Sequence, residues 1–157
     1  MRLAADQVYR LIKPVEIGPV LAVLGGLGFI HVNQGQKAKY ECDVLLRAHF
    51  PPELVSLIEG LGLGGETARA ILRKLHPRQS IPVHVDEWMP GEADWRRFQI
   101  PITSHPNIVM RWPMDGAEVH LAPGFLYEVR FDRPHEVIHG ADCERIHLQV
   151  DQIDATI

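Results

Sequence analysis

The sequence lacks the features that mark secreted, membrane-spanning or nucleic-acid-binding chains. Its two cysteines, Cys42 and Cys143, have no CxxC spacing, and no charged-then-apolar segment opens the chain, so a reduced, cytoplasmic setting is expected. The longest apolar run, 20–30, is interrupted by glycine and is far shorter than the ~20 residues that a membrane span needs. The 16 Lys and Arg stand against 20 Asp and Glu without a basic stripe, which argues against nucleic acid as a partner.

A length of 157 residues predicts a single domain, 1–157, with one hydrophobic core. At 76–80 the composition changes from helix-forming residues to turn residues and then to strand-forming ones. This change predicts a cover of helices and a strand over 1–77 and a β-rich core over 78–151. The sequence contains no internal repeat and no low-complexity segment.

Apolar spacing predicts a mixture of helices and strands in the first half. The loose spacing of 1–12 fits either a helix or an extended entry segment that ends at Pro14. The glycines near residues 25 and 64 lack the Gly-Lys-Ser/Thr of a phosphate-binding loop, so they are predicted to form caps and turns. The other predicted elements are a helix over 15–27, a strand over 39–49, a helix beginning at Pro52 and continuing to Leu61, and a second helix over 68–75.

After Ser80 the apolar period becomes two, which is typical of strands with one buried face. Phe98, Ile100 and Ile102 alternate with polar residues, and so do Ile146, Leu148 and Val150. Short alternating strands separated by proline and glycine predict an antiparallel sandwich or barrel. The fold class expected is therefore α+β, mainly β.

The polar faces of these strands carry residue types that suit metal chemistry. His84 and Asp86 are two residues apart, so on a strand they share a face about 7 Å apart, and His135 follows later in the chain. Two imidazoles and one carboxylate form the facial triad of non-haem Fe(II) oxygenases. Alternatively, these polar faces are only exposed to solvent, while the apolar faces pack against the helices. The same faces offer further polar residues: Arg97, Gln99, Thr103, Arg145 and His147, with His139 as an additional candidate.

Several short motifs together resemble the aspartyl/asparaginyl β-hydroxylase family, whose members are 2-oxoglutarate-dependent Fe(II) oxygenases with a double-stranded β-helix core. The resemblance covers about 78–151. It rests on the order and spacing of His84-x-Asp86, Arg97-Phe-Gln-Ile-Pro101-Ile, Gly124-Phe-Leu-Tyr127-Glu-Val, His135-Glu-Val and Glu144-Arg145-Ile-His147-Leu-Gln-Val-Asp151. It implies a jelly-roll, cupin-like core with the N-terminal helices covering one sheet.

The resemblance also implies roles for individual residues. His84, Asp86 and His135 would be the ligands of Fe(II), and Arg145 would bind the far carboxylate of 2-oxoglutarate. Arg97 matches an arginine that lines the co-substrate site. Gln99 and His139 stand where the family has His and Asn, and both keep the capacity to donate a hydrogen bond. His147 completes the candidate co-substrate site, and the residues expected to wall the substrate side are Trp88, Trp95, Trp112 and Tyr127.

The expected function is therefore hydroxylation of an unactivated C–H bond with 2-oxoglutarate and O₂, giving succinate and CO₂. The substrate is left open between a small molecule and a side chain of a peptide or protein, and the oligomeric state is not encoded in any recognisable pattern. Two other functions fit the same residues. One is a cupin-like isomerase or dioxygenase that uses Fe, Mn or Zn without 2-oxoglutarate, and the other is a non-catalytic β-sandwich binding module.

Overall fold

The computed structural model describes residues 2–33, 40–86, 91 and 93–157. The described part is mainly β with two short helices, α1 (Gly18–Val23) and α2 (Pro52–Glu59). The strands are β1 (Tyr9–Pro14), β2 (Ile30–Asn33), β3 (Glu41–Leu46), β4 (Glu66–Leu75), β5 (Ile81–His84), β6 (Trp95–Thr103), β7 (Ile108–Trp112), β8 (Ala117–Val119), β9 (Phe125–Val129), β10 (His135–His139) and β11 (Arg145–Ile153). None of the described helices is long and apolar enough to cross a membrane.

The strands form two antiparallel sheets. The larger sheet has seven strands in the order β1-β9-β6-β11-β4-β3-β2, and the smaller has four in the order β5-β10-β7-β8. Consecutive strands often lie in different sheets or far apart in one sheet, as in a jelly roll. The fold is a double-stranded β-helix of the cupin type, as predicted.

Because side chains alternate along each strand, the two faces of the larger sheet pack against different parts of the protein. One face packs against the helices, where Val20 of α1 and Leu54 of α2 contact the cluster that contains Phe98, Ile100 and Leu148. The other face packs against the smaller sheet, and it places polar residues of β6 and β11 between the sheets. The predicted cover of helices over one sheet is confirmed, and so is the alternation in β6 and β11.

Most predicted elements of the first half are present. The helix predicted over 15–27 is α1 with a 3-10 turn at Leu24–Gly26, and the helix beginning at Pro52 is α2. Of the two possibilities for 1–12, the extended one is correct, because β1 pairs with β9. Glycines 62, 64 and 65 all have positive φ in the turn between α2 and β4, so the turn prediction is confirmed there.

The helix predicted over 68–75 is wrong, because this segment is β4. Ala70 and Leu72 pack towards the helices, whereas Ile71 and Leu75 pack towards the smaller sheet. A strand buried on both faces is apolar on both faces, so its spacing imitates a helical stripe. The ladders to β3 and β11 decide its conformation. As a result, 1–77 is not a cover over the core: β1, β2, β3 and β4 supply four of the seven strands of the larger sheet.

Candidate metal centre and anion-binding cleft

The three predicted metal ligands converge at the mouth between the sheets. His84 ends β5, and His135 begins β10 directly opposite it in the ladder, with the two ring centroids 4.4 Å apart. Asp86 lies two residues beyond β5, with one oxygen 3.5 Å from His84 Nε2 and the other 3.6 Å from His135 Nε2. Ligands ~2.1 Å from a shared ion are about 3.0–3.4 Å apart, so this spacing suits one cation after small adjustments.

Backbone carbonyls fix which imidazole nitrogen is available to a metal. His84 Nδ1 lies 2.8 Å from the oxygen of Pro82, and His135 Nδ1 lies 2.7 Å from that of Arg133. A carbonyl oxygen only accepts hydrogen bonds, so we assign the ring proton to Nδ1 in both histidines. Both Nε2 atoms then present lone pairs beside Asp86. Histidine ligands of metals commonly have this second hydrogen bond, so the residues present fit a bound divalent cation.

Electrostatics favour the protonation states that a metal requires. Burial alone would raise the pKa of Asp86, but Arg97, His135 and His84 outweigh that effect, and the pKa of this carboxyl is lowered. Burial lowers the pKa of His135, which keeps its imidazole neutral at neutral pH. Asp86 is therefore an anion beside a neutral ring, which is the state in which both residues bind a cation.

Arg97 orients Asp86 rather than offering a vacant cationic group. Its guanidinium donates to Asp86, and it also donates from Nε and Nη2 to the two oxygens of Asp151, at 2.7 and 3.1 Å. Asp151 lies directly opposite Arg97 in the ladder between β6 and β11. Arg97 therefore has an acidic partner on the neighbouring strand. Arg97 still lines the cleft, as predicted, but as a residue that positions a metal ligand.

Arg145 differs from Arg97 because its charge is unbalanced. It is only 4% exposed and makes no ion pair with any of the described residues. Burial and the neighbouring guanidinium of Arg73 lower the pKa of Arg145 to about 9, and only Tyr40 opposes this shift. Burying a cation without a counter-ion costs free energy. Binding of an anion next to Arg145 would offset this cost and would therefore be favourable. The role of Arg145 as a carboxylate anchor stays a prediction.

Arg73 and Tyr40 extend this cationic region towards the metal centre. Arg73 in β4 donates a hydrogen bond to the hydroxyl of Tyr40, and its Nε is buried without an acceptor among the residues described. The ring of Tyr40 in turn lies 6.5 Å from that of His84, centroid to centroid. An anion bound by Arg145 and Arg73 would therefore lie close to the candidate metal ligands.

Gln99 and His147 form a buried hydrogen-bonded pair in the same cleft. His147 Nδ1 lies 2.9 Å from Gln99 Oε1, and His147 Nε2 is buried without a partner in the described structure. Burial, and then the charge of Arg145, hold the pKa of His147 well below its usual range. His147 is therefore a neutral, oriented polar group with one nitrogen available to a ligand.

The cleft between the sheets has a volume of about 140 Å³. It brings together seven of the predicted site residues, namely His84, Asp86, Arg97, Gln99, His135, Arg145 and His147. It is also lined by residues that sequence reasoning missed: Tyr40, Arg69, Ile81, Arg73, Met110, Val137 and Gln149. Arg69 and Arg73 were missed because β4 was predicted to be a helix. Alternation along a strand would have placed both on the face of Ile71 and Leu75, which lies towards the smaller sheet.

Other predicted polar residues lie outside the cleft. The hydroxyl of Thr103 donates to the carbonyl of Glu144 at 3.1 Å and so belongs to the ladder between β6 and β11. His139 is buried nearby, where its Nδ1 accepts from the backbone of Ala141 at 3.4 Å and its Nε2 has no described partner. Burial, and then Arg145, lower the pKa of His139. Its predicted role in place of an asparagine stays a prediction.

The expected aromatic wall on the substrate side is wrong for three of its four members. Trp112 is fully buried and donates to the carbonyl of Arg130 at 3.0 Å, and the Tyr127 hydroxyl accepts from Ala122 at 3.0 Å. Trp95 borders a different cavity. Trp88 lies outside the described residues.

Acid is expected to destabilise the metal-free protein through His147. Because its folded pKa is depressed, the unfolded state binds a proton that the native state excludes between pH 6.5 and the folded pKa. The contribution of His147 to stability is thus complete above about pH 7 and is lost progressively as the pH drops. Urea unfolding at pH 7.5 and 5.0, with a chelator present, should show a smaller loss in His147→Gln. An equal loss in both proteins would contradict this assignment.

No family model matches the sequence, and no curated protein matches it. Among solved structures, the chain is similar to the non-haem α-ketoglutarate-dependent carbocyclase SnoK from nogalamycin biosynthesis, with a TM-score of 0.68 and 17% identity over 96% of this chain and 82% of that one. It is also similar to a Pseudomonas putida prolyl-4-hydroxylase, with a TM-score of 0.65 and 14% identity over 94% of each chain. The viral collagen prolyl hydroxylase vCPH from Paramecium bursaria Chlorella virus-1, solved with 2-oxoglutarate, gives a TM-score of 0.64 and 9% identity over 96% of this chain and 97% of that one.

At these identities, the similarities establish the fold. They agree with the antiparallel sandwich or barrel predicted from the alternating strands and with the double-stranded β-helix that the family resemblance implied. What this chain binds and transforms has to be argued from its own residues.

Proposed function

We propose that this chain is an Fe(II)- and 2-oxoglutarate-dependent dioxygenase of the aspartyl/asparaginyl β-hydroxylase type, which hydroxylates an unactivated C–H bond. The observation that carries the proposal is the buried, uncompensated charge of Arg145 in the cleft that holds His84, Asp86 and His135. A metal centre alone would fit many cupin-like proteins. A metal centre beside a cationic pocket fits a co-substrate that has one carboxylate to chelate the metal and another to pair with arginine.

Each part of the cleft would have a distinct task. Bound Fe(II) would supply the redox chemistry that couples oxidative decarboxylation of 2-oxoglutarate to hydroxylation of the substrate. The carbonyls of Pro82 and Arg133 keep the two imidazoles oriented, and Arg97 keeps Asp86 ionised and in place. Arg145, assisted by Arg73, would bind the far carboxylate through a planar fork that Lys cannot reproduce.

The proposal is tested by 2-oxoglutarate turnover. Chelator-treated protein would be loaded with Fe(II) without O₂, mixed with 2-oxoglutarate and then exposed to air, and succinate would be measured by mass spectrometry. We expect succinate to form in amounts that exceed the protein concentration, and to be absent when Fe(II) is omitted. Adding a metabolite extract or a peptide library would then reveal the substrate as a product heavier by one oxygen atom.

Two other results would contradict the proposal. Tight metal binding without any succinate would favour a cupin-like isomerase or dioxygenase that does not use 2-oxoglutarate. A protein that gains no stability from Fe(II) or Mn(II) would favour a non-catalytic binding module with structural histidines.

A further inference from the structure

A second group of potential metal ligands lies on the larger sheet, on neighbouring strands. His31 in β2 is opposite Asp43 in β3, and His76 directly follows β4. One carboxylate oxygen of Asp43 lies 2.9 Å from His31 Nδ1, and the other lies 3.1 Å from His76 Nε2. One potential ligand atom from each of the three side chains lies within 4.8 Å of the other two.

This group is separate from the cleft between the sheets. Cys42 and Val44 flank Asp43 in β3 and pack into the cluster between the two sheets, so Asp43 faces the opposite side. Leu45, which shares the side of Asp43, packs towards the helices. A ligand bound at Asp43 would thus be divided from His84, Asp86 and His135 by the larger sheet itself.

The histidine geometry suits a metal as well as a hydrogen bond. Ligands ~2.0–2.1 Å from a tetrahedral ion are about 3.4 Å apart, so separations of 2.9 and 3.1 Å need only a small expansion. The second nitrogen of His31, Nε2, lies 3.6 Å from a carboxylate oxygen of Glu41. When Nδ1 binds a cation, Nε2 keeps the proton, and Glu41 is placed to accept it, as the outer carboxylates of metal-bound histidines do.

The local charge also favours a divalent cation. The ammonium of Lys74 lies beside these carboxylates, with its Nζ 3.7 Å from Asp43 and 4.0 Å from Glu144. When both histidines are neutral, the net charge of this group is −2, because one ammonium stands against the three carboxylates of Glu41, Asp43 and Glu144. The ammonium also lies over the ring of Phe29, 4.4 Å from its centroid, so it has a position that does not depend on Asp43.

We propose that His31, Asp43 and His76 form a second metal site, for a borderline divalent cation such as Zn(II), with Glu41 as the outer partner of His31. Two imidazoles and a carboxylate are ligands typical of Zn(II), and water would complete the coordination. The ion would join β2, β3 and the end of β4 across the edge of the larger sheet. This proposal is independent of the proposed oxygenase function.

The test is the number and affinity of bound Zn(II) ions in untagged, chelator-treated protein, measured by calorimetry. We expect two Zn(II) per wild-type chain, and one in the double variant His84→Ala/His135→Ala, which lacks the first site. Asp43→Asn and His76→Ala should each weaken the second site at least tenfold while leaving Fe(II)-dependent succinate formation unchanged. His49→Ala removes an exposed histidine outside both groups and serves as the matched control.

Three results would overturn the proposal. They are the absence of bound Zn(II) in His84→Ala/His135→Ala, an ion in that variant whose affinity is unchanged by both Asp43→Asn and His76→Ala, and an equal loss in His49→Ala. If Asp43→Asn fails to fold, His76→Ala still decides the matter, because His76 lies beyond the end of β4 with nearly half of its side chain exposed. Replacing Zn(II) by Co(II) adds a second readout: the tetrahedral site should give a visible absorption band that His76→Ala removes.

Discussion

Replacing Arg145 by Ala should weaken the binding of 2-oxoglutarate to the Mn(II)-loaded protein at least about thirtyfold, while Mn(II) affinity changes little. A charge-assisted bond to a desolvated carboxylate contributes on the order of 2 kcal/mol or more, which corresponds to this factor. Arg145 has no competing acidic partner among the described residues, so the ligand would receive the whole benefit of its charge. Calorimetric titration of 2-oxoglutarate in the absence of O₂ measures the effect.

Matched variants separate this role from a general effect of positive charge. Arg145→Lys should recover part of the affinity, because the ammonium keeps the charge but not the planar fork. Arg69→Ala removes another arginine of the cleft, one that pairs with Asp151 at 2.8 Å, and should weaken binding less than about threefold. Unchanged affinity in Arg145→Ala would remove the main reason for choosing this co-substrate.

A stability measurement shows whether Arg145 is retained for a ligand. Arg145→Met has a similar volume without the buried charge, so its free energy of unfolding should rise by ~1–3 kcal/mol in urea, while 2-oxoglutarate binding is lost. A variant that is both less stable and unable to bind would instead mean that Arg145 supports the fold.

Replacing His84 or His135 by Ala should lower the affinity for Fe(II) or Mn(II) at the candidate centre more than about a hundredfold, beyond the losses typical of outer-shell changes. Each variant removes one of three ligand atoms and leaves Asp86 paired with Arg97. Circular dichroism should show that the fold persists, since both side chains lie at the mouth of the cleft. Anaerobic calorimetry measures the metal affinity.

His105→Ala is the control, because His105 is an exposed histidine outside the cleft. Asp86→Ala is less decisive, since two imidazoles can still hold a metal. Wild-type metal affinity in both His84→Ala and His135→Ala would show that the triad assignment is wrong.

Strands with one apolar face could be predicted from the sequence, whereas a strand with two apolar faces could not. In β6 and β11, apolar residues recur at every second position over 98–102 and 146–150, so the residues facing the cleft could be named in advance. β4 has apolar residues on both faces, and only its position between β3 and β11 makes it a strand. Arg69 and Arg73 were missed with this strand, and Tyr40, which precedes β3, lies in no alternating pattern that would have indicated it.

Residue types alone also do not reveal pairing across a ladder. The alternation placed Arg97 and Asp151 on polar faces, but the register that puts them opposite each other is set by the whole sheet. The ion pairs of Arg97 with Asp86 and Asp151 could therefore not be predicted from the pattern of its own strand. Trp112 and Tyr127 show the same limit, since their burial depends on packing between the sheets.

The position of β5 in its sheet links metal occupancy to local order. β5 has four residues, lies at the edge of the smaller sheet and pairs with β10 alone among the described strands. It carries His84, and Asp86 follows it, whereas His135 belongs to the neighbouring strand. An ion held by all three would cross-link the edge strand to its neighbour, so β5 could detach only after the ion is released. Metal binding would thus raise the free energy of this local opening, and amide hydrogens of β5 should exchange more slowly in the metal-loaded protein.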